Sequence, residues 1–152
     1  MSFTNNERIK IAEVATQARK ILESKYGNKD DNMMGKCIEA SDLITSQLQI
    51  MGFNAYSKQV WCLYEYFESC SNYCYEEHWI TVVEKGKSKI YIDTTIKQFQ
   101  WAFSKKLPNI WIKEKLPNFF LTRKPGKVTL DKCGWNDWYN YGDYVNKFNY
   151  YG

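Results

Sequence analysis

One stretch near the start of the chain alternates apolar and polar residues with the spacing of a helix. Its less polar positions follow one another at intervals of three or four residues: Cys37, Ser41, Ile44, Leu48 and Met51. Residues at these intervals lie on one face of an α-helix. Because Gly52 supplies the left-handed residue that commonly ends a helix, we predict a central helix from about Cys37 to Met51.

A second helical stripe precedes the central helix. Thr4 or Asn5 is a suitable N-cap, Glu7 lies in the first turn, and Gly27 follows the last periodic position. Between these ends the apolar positions again recur at helical spacing: Ile11, Val14, Ala15, Ala18, Ile21 and Leu22. The pattern predicts a first helix over residues 4–26 that packs by this stripe.

The chain after the central helix favours strands. Residues 53–63, 78–84 (HWITVVE) and 89–94 (KIYIDT) are short, and rich in β-branched and aromatic side chains. The last two segments are separated by KGKS, in which Gly86 suits a turn position with positive φ. The sequence therefore predicts a tight β-hairpin here.

The remaining segments are weakly patterned. Residues 64–77 show neither the helical nor the strand period and are interpreted as a long aromatic loop. Residues 95–152 predict short elements that wrap the sheet, with one more strand at 127–130. Taken together, the elements predict a single α+β domain over residues 1–152, in which the central helix packs on an antiparallel sheet.

Composition narrows the class of protein. Hydrophobic residues at 44% and charged residues at 25% are typical of a soluble globular domain. The net charge of +4 comes from scattered basic residues, so nucleic acid is not required as a partner. The start of the chain lacks the pattern of a signal peptide, and no stretch approaches the roughly 18 apolar residues of a membrane span. We expect a monomer without a membrane partner, in the cytoplasm or delivered into the cytoplasm of a target cell.

The number of cysteines fits a cytoplasmic protein, and the position of Cys37 distinguishes it from the others. Five cysteines are an odd number in a chain that needs no disulfide scaffold, so at least one thiol should be free. Cys37 falls in the first turn of the central helix, where free N–H groups and the helix dipole stabilise a thiolate. A buried structural cysteine is the alternative reading of this residue taken alone.

The predicted hairpin contains a possible base and a possible acid for Cys37. If Gly86 and Lys87 are the turn residues, His78 lies on the same face of the hairpin as Asp93, one diagonal step away. His78 is the only histidine in the chain. A carboxylate beside an imidazole holds its tautomer and stabilises the imidazolium, which is the orienting role in a catalytic triad. We therefore predict Cys37, His78 and Asp93 as nucleophile, base and orienting acid.

The order of these motifs carries a family resemblance. GKC at a helix start (35–37), HW on a strand (78–79) and YIDTT on the next strand (91–95) resemble the transglutaminase-like and papain-fold superfamily. This superfamily includes transglutaminases, arylamine N-acetyltransferases and the deamidase and protease domains of bacterial toxins and effectors. The run IDTTIKQF (92–99) is similar to an Asp-Thr and Gln-Phe continuation in some papain-fold members. Since Cys and His lie about 130–150 residues apart in papain, the compact branches fit this chain better.

The resemblance implies a papain-like or transglutaminase-like fold and a thiol enzyme without cofactor or metal. Cys37 would attack an amide carbonyl of a protein or peptide and form a thioester, with proton transfer through His78. Water resolving the thioester gives proteolysis or glutamine deamidation, and an amine gives transamidation. The residues leave this choice open.

The chain also departs from the pattern of many family members. They carry a Trp after the cysteine and a Gln shortly before it, whereas Ile38 follows Cys37 here and no Gln lies in residues 27–36. The candidates for the oxyanion donor are therefore the backbone N–H of Cys37, the side chain of Asn32, or a loop amide. Trp61 and Trp79 are candidates for substrate binding, with core or rim packing as the alternative.

A zinc site is the first rival reading. Cys70, Cys74 and His78 follow a C-x3-C-x3-H spacing, and Cys62 or Cys133 could supply a fourth ligand. A strand beginning at His78 argues against one continuous helical face for these ligands. Zinc in the purified protein, and loss of the fold on chelation, would favour this reading.

A module that binds single-stranded nucleic acid is the second rival. The tail 135–152 is rich in Trp and Tyr, which stack on bases, but Lys147 is its only basic residue. Steep salt dependence of oligonucleotide binding would favour this class.

Overall fold

The computed structural model describes residues 2–65 and 73–125, which form two α-helices followed by an antiparallel sheet. The elements are α1 (Asn5–Tyr26), α2 (Cys37–Ile50), β1 (Asn54–Glu65), β2 (Tyr73–Lys85), β3 (Ser88–Asp93), β4 (Trp111–Lys113) and β5 (Phe120–Leu121). Two short 3-10 helices, Asp30–Met33 and Ile96–Ala102, lie between them. The predicted α+β class is therefore confirmed.

The first helix begins at a capping box. The Thr4 hydroxyl accepts the backbone N–H of Glu7 at 3.1 Å, and the Glu7 carboxylate accepts the backbone N–H of Thr4 at 2.7 Å. This reciprocal pair satisfies two donors that a helix start leaves free. At the other end Gly27 adopts a φ of 97°, which ends the helix as predicted.

The central helix is also confirmed, over Cys37–Ile50. Its buried face holds apolar and hydroxyl side chains together: Ala40, Ser41, Ile44, Thr45 and Leu48. Gly52, with a φ of 91°, lies just beyond the helix end. The helix therefore presents a mixed face to the sheet and carries Cys37 at its start.

The hairpin of β2 and β3 has the register predicted from Gly86 and Lys87. Lys85 pairs with Ser88, Glu84 pairs with Lys89, and Gly86 adopts a φ of 59°. The Lys89 ammonium lies 3.5 Å from the Glu84 carboxylate, which adds an opposite-charge pair across the strands. The register fixes which side chains of β2 and β3 share a face.

The strands form one sheet in the order β4-β3-β2-β1-β5. One sheet face packs against α1 and α2 through a cluster that includes Ile11, Ala15, Ile44, Leu48, Ala55, Val83 and Ile92. The opposite face packs against the second 3-10 helix and the segment after it, through Val60, Ile80, Val82, Phe99, Phe103 and Phe119. Both faces of the sheet are therefore covered by apolar side chains.

The predicted loop at 64–77 is wrong over much of its length. The pairing of β1 with β2 continues through Leu63 and Tyr75 to Glu65 and Tyr73, so both strands are longer than predicted. Backbone pairing with a neighbouring strand overrides the lack of local period, and Tyr is itself a good strand former. The expected strand at 127–130 and the aromatic tail lie outside the described residues.

The prediction of short elements after residue 95 is confirmed for the described part of that segment. A 3-10 helix and the short strands β4 and β5 account for it up to residue 125. Among the described residues, no helix is both long and apolar enough to cross a membrane.

Candidate active site

Cys37 lies where α2 meets the sheet. It is the first residue of the helix, and its side chain is partly exposed. The sulfur lies beside the imidazole of His78 and the backbone N–H of Trp79, and both groups favour its thiolate form. In the described sheet, β3 pairs with β2 only as far as Thr81, so the β2 backbone near Trp79 is free of β3 and meets the helix start.

His78 is buried in the face of the sheet opposite the helices. Its exposed fraction is 0%, and its ring packs against Phe99 and Phe120 at centroid distances of 4.9 and 5.2 Å. Side chains alternate along β2, so His78 shares its face with Ile80 and Val82, whereas Thr81 and Val83 face the helices. The aromatic rings hold the imidazole in place and keep bulk water away from it.

Asp93 is the last residue of β3 and lies beside His78 as the register predicts. Its Oδ2 atom is 2.6 Å from Nε2 of His78, and its exposed fraction is 3%. Its other oxygen, Oδ1, accepts the backbone N–H of Thr95 at 2.9 Å and the Thr95 hydroxyl at 3.3 Å. The carboxylate is therefore both a strand-end cap and a partner of the imidazole.

His78 links the charges of the other two groups: the Asp93 carboxylate stabilises the imidazolium, and the imidazolium stabilises the Cys37 thiolate, whereas the Asp93 charge itself weakly opposes that thiolate. Burial opposes an ionised Cys37, but the hydrogen bond and the charge of His78, with the N–H of Trp79, lower the pKa of the thiol below its ordinary 9.0. Burial likewise opposes a charged His78, but the Asp93 carboxylate and the Cys37 thiolate outweigh it and raise the pKa of the imidazole to about 9. Both shifts favour a thiolate and imidazolium pair at neutral pH.

Gln98 is a site residue to which the sequence assigned no role. It lies in the 3-10 helix Ile96–Ala102, and its Nε2 atom is 3.1 Å from Nδ1 of His78 and 3.2 Å from the Thr95 hydroxyl. Its exposed fraction is only 9%. The signal in the sequence is the amide between Lys97 and Phe99 in the run IDTTIKQF, because a polar side chain that is buried needs a partner.

Arg19 is a second residue that the sequence did not single out. Its guanidinium donates to the backbone carbonyl of Thr94 at 2.8 Å and to the Glu23 carboxylate at 2.8 Å. Arg19 is 4% exposed and Thr94 is 1% exposed, so this charged hydrogen bond is buried. It ties α1 to the residue that follows Asp93.

The three tentative binding residues are placed differently from one another. Trp79 gives its backbone N–H to Cys37, and its side chain is half-buried. Trp61 lies on β1, and its Nε1 atom is buried without a hydrogen-bond partner among the described residues. Asn32 lies in the 3-10 helix Asp30–Met33 with its amide against Gly27, 2.6 Å from where a Cβ on that glycine would be. Their roles in oxyanion or substrate binding stay predictions.

A metal centre finds no support in the described part of the chain. Within residues 2–65 and 73–125, no group of three or more His, Cys, Asp or Glu side chains could hold a metal ion. Both ring nitrogens of His78 already have partners, Asp93 and Gln98. Cys70, Cys133 and the side chain of Cys74, which the zinc reading needs, lie outside what the structure describes.

The chain has no match that would assign it to a family. Comparisons with protein-family models, with curated proteins and with solved structures all find nothing that matches. The functional interpretation therefore rests on the residues of the site and their geometry.

Proposed function

We propose that this protein is a thiol-dependent acyl-transfer enzyme that acts on amide bonds of a protein or peptide. Cys37 is the nucleophile, His78 transfers the proton and Asp93 orients the imidazole. One observation carries the proposal: a thiol at a helix start contacts a buried imidazole whose other nitrogen lies 2.6 Å from a carboxylate. A thiolate held beside an imidazolium is an activated nucleophile at neutral pH.

The order and packing of the elements support a papain-like or transglutaminase-like fold within the α+β class. A helix with the cysteine at its start packs on an antiparallel sheet, and adjacent strands of that sheet supply His78 and Asp93. The same order of motifs carries the resemblance of the sequence. Fold and mechanism are thus proposed together, from two kinds of observation.

The acylation half of the reaction begins at the sulfur. The Cys37 thiolate bonds to the carbonyl carbon, and the carbonyl electron pair moves to oxygen to give a tetrahedral oxyanion. Since Nε2 of His78 is held by Asp93, Nδ1 is the nitrogen that gives its proton to the departing nitrogen. The C–N bond breaks and leaves a thioester on Cys37. The departing group is an amine from a peptide, or ammonia from a glutamine side chain.

The deacylation half regenerates the pair. Neutral His78 takes a proton from water while the water oxygen attacks the thioester carbon. Collapse of the second oxyanion breaks the C–S bond, releases the acid and restores the thiolate beside the imidazolium. An amine in place of water would give a new amide by the same steps, which is the transamidase alternative.

The Gln98 amide is the side chain best placed to stabilise the oxyanion. Its nearly buried Nε2 atom lies 3.1 Å from Nδ1 of His78 and 3.2 Å from the Thr95 hydroxyl. A protonated Nδ1 cannot accept a hydrogen bond, so in the imidazolium state the N–H that faces it is free to turn to the oxyanion. A preorganised N–H donor in a water-poor site stabilises developing negative charge far more than water does. The backbone N–H groups at the start of α2 are available as a second donor.

A reducing compartment keeps a thiol nucleophile in its active form. Cys37 and Cys62 are both free in the structure. This supports action in the cytoplasm, either of the cell that makes the protein or of a target cell.

The test is a comparison of proteomes exposed to three forms of the protein: wild type, Cys37→Ala and Cys62→Ala. Cys62 is the matched control because it is fully buried and burial raises the pKa of its thiol well above 9.0. Mass spectrometry should find modified sites with the wild type and Cys62→Ala, and none with Cys37→Ala. Equal modification by all three forms would contradict the proposal.

The same measurement separates the alternatives. New chain termini indicate proteolysis, conversion of Gln to Glu indicates deamidation, and isopeptide cross-links indicate transamidation. Each outcome names a reaction of one thioester intermediate, so the choice does not change the roles of Cys37, His78 and Asp93.

A further inference from the structure

Four hydroxyl side chains meet between α2 and the sheet. The Ser41 hydroxyl donates to that of Ser57 at 2.6 Å, and the Thr45 hydroxyl lies 3.2 Å from Ser57 and 3.0 Å from Thr81. The Thr81 hydroxyl also donates to the backbone carbonyl of Ser41 at 3.1 Å. We call Ser41, Thr45, Ser57 and Thr81 the hydroxyl cluster.

The cluster joins the two elements that carry the nucleophile and the base. Ser41 and Thr45 follow Cys37 by one and two helical turns on the same face of α2. Thr81 follows His78 on β2, and Ser57 lies on the adjacent strand β1, paired with Thr81. Every bond from this cluster to α2 therefore links the Cys37 helix to the sheet beside His78.

Three of the four members of the cluster are buried in the interface between α2 and the sheet, and Ser57 is partly exposed. The exposed fractions of Ser41, Thr45 and Thr81 are 2%, 9% and 0%. A buried hydroxyl costs free energy unless it is hydrogen-bonded, and an apolar side chain in its place would pack without that cost. Stability alone thus gives no reason for four hydroxyls to be grouped here.

Hydrogen bonds between hydroxyl groups are directional, whereas contacts between apolar side chains are not. Dispersion contacts between smooth apolar faces change little when a helix slides along a sheet, whereas a hydrogen bond weakens steeply outside a narrow range of distance and angle. A helix rises about 1.5 Å per residue, so a slide of less than one residue would move Cys37 out of reach of His78.

We propose that the hydroxyl cluster is a positioning device that sets the separation of the Cys37 sulfur and the His78 imidazole by fixing α2 along β2. The inference rests on the proposed pairing of Cys37 with His78. The four members of the hydroxyl cluster do not touch the reacting atoms. They act by fixing the position of α2.

The test compares substitutions that remove the hydroxyl with substitutions that keep it. Thr81→Val removes the two hydrogen bonds of Thr81 with little change in shape, and Thr81→Ser retains the hydroxyl. Thr45→Val and Thr45→Ser form a second pair, in case Thr81→Val does not fold. Ile44→Val is the control, because it weakens the same helix interface through an apolar residue of the adjoining cluster.

The readout is the rate constant for alkylation of Cys37 by iodoacetamide between pH 4 and 10, followed by mass spectrometry of the labelled peptide. We expect the valine variants to lose about tenfold to a hundredfold of the rate near pH 6, with profiles shifted toward that of an ordinary thiol. The serine variants should keep the wild-type profile. Ile44→Val should lower the urea midpoint of unfolding without moving the profile.

Three results would overturn the inference, and they are distinguishable. If the wild type alkylates fast at pH 6 and folded Thr81→Val and Thr45→Val do the same, the cluster does not position the pair, and the proposed function stands. If the wild type itself has the profile of an ordinary thiol, the activated pair is absent and both proposals fail. A shift in Ile44→Val equal to that in the valine variants would also overturn it, because general loosening of the interface would then suffice.

Discussion

Asp93 Oδ2 lies 2.6 Å from Nε2 of His78, and both side chains are almost wholly buried. The two Thr95 donors on Oδ1 leave Oδ2 for the imidazole. A buried carboxylate is costly to desolvate unless it is paired and hydrogen-bonded, and here it is both. The pair therefore stabilises charge on the imidazole and leaves Nδ1 as the ring nitrogen that the carboxylate does not hold.

Asp93→Asn should weaken the thiolate without removing the nucleophile. An amide replaces the carboxylate at nearly the same shape, so the imidazolium loses its main stabilising charge while the hairpin is kept. The pKa of Cys37 should then rise, and the alkylation rate below neutral pH should fall about tenfold for each unit of the rise. The measurement is the pH profile of iodoacetamide labelling for the wild type and Asp93→Asn.

Circular dichroism of both proteins supplies the control for folding. An unchanged labelling profile in a folded Asp93→Asn protein would reduce Asp93 to a strand-end cap and the site to a Cys and His dyad. Equal labelling of Cys37 and Cys62 in the wild type would remove the activated nucleophile altogether.

His78 should stay protonated well above the range of an ordinary histidine. Its pKa is raised from 6.5 to about 9 because the charges of Asp93 and Cys37 outweigh the effect of burial. As the only histidine in the chain, it gives a single set of imidazole signals in a proton NMR titration. We expect a midpoint near 9 for the wild type and a lower midpoint for Asp93→Asn. A wild-type midpoint at or below 6.5 would mean that desolvation dominates.

The raised pKa of His78 also makes the free energy of unfolding depend on pH. The unfolded imidazole releases its proton near pH 6.5 and the folded one near 9, so this contribution is complete below pH 6.5 and is lost as the pH rises through about 9. The lowered pKa of Cys37 acts in the opposite direction, with a contribution present above 9.0 and lost as the pH falls. Cys37→Ala removes the thiol contribution together with the part of the His78 shift that Cys37 provides, and leaves the part that Asp93 provides. Its free energy of unfolding in urea should therefore still decrease as the pH rises above 6.5, over a narrower range than the wild-type histidine shift implies.

The sequence predicted the parts of the site that depend on local rules. Gly86 was enough to predict a tight hairpin, and the structure has the register with Gly86 and Lys87 in the turn, which places His78 on the same face as Asp93. The helical spacing after Gly35 placed Cys37 in a first turn. Each of these features is determined by residues close together in the chain.

The sequence did not predict the parts that depend on contacts across the fold. Gln98 reaches His78 only because a 3-10 helix follows β3, and that helix has no periodic signal. The early part of β2 forms because β1 pairs with it, which local period does not reveal. Arg19 falls between Ala15 and Leu22 on the buried stripe of α1, where a charged residue needs a distant partner.

Arg19→Met should destabilise the protein through the segment that holds Asp93. The substitution leaves the buried Thr94 carbonyl without its charged donor, and a hydrogen bond to a charged group contributes about 1.5–3 kcal/mol. We therefore expect the free energy of unfolding in urea to fall by about 2 kcal/mol. Slower labelling of Cys37 should accompany it, because Thr94 directly follows Asp93.

Glu23→Gln is the matched control for Arg19→Met. It removes the other partner of the same guanidinium, but the Glu23 side chain is 34% exposed and lies one helical turn away. Ion pairs four residues apart on a helix stabilise the folded state by about 0.3–0.5 kcal/mol. If Glu23→Gln lowered the free energy of unfolding as much as Arg19→Met, the hydrogen bond to Thr94 would not explain the loss of stability.

Gln98→Ala should slow the acylation of Cys37 and leave its alkylation nearly unchanged. Acylation of Cys37 by 4-nitrophenyl acetate passes through an oxyanion, whereas alkylation by iodoacetamide displaces iodide at a saturated carbon and forms none. If the Gln98 amide stabilises the oxyanion, Gln98→Ala should lower the acylation rate by about 10²–10³ and change the alkylation rate little. The release of 4-nitrophenolate and the labelling of the Cys37 peptide measure the two rates.

The ratio of the two rates identifies the role of Gln98 because it cancels any change in the amount of thiolate. A general disturbance of His78, whose Nδ1 lies 3.1 Å from the Gln98 amide, would slow both reactions together and leave the ratio unchanged. Gln98→Glu tests the sign of the charge: a carboxylate facing the oxyanion should lower the ratio at least as far as alanine does, since it repels the developing charge instead of donating to it. A wild-type ratio in both folded variants would assign the oxyanion to the backbone N–H groups at the start of α2, with Gln98 left as a packing partner of the imidazole.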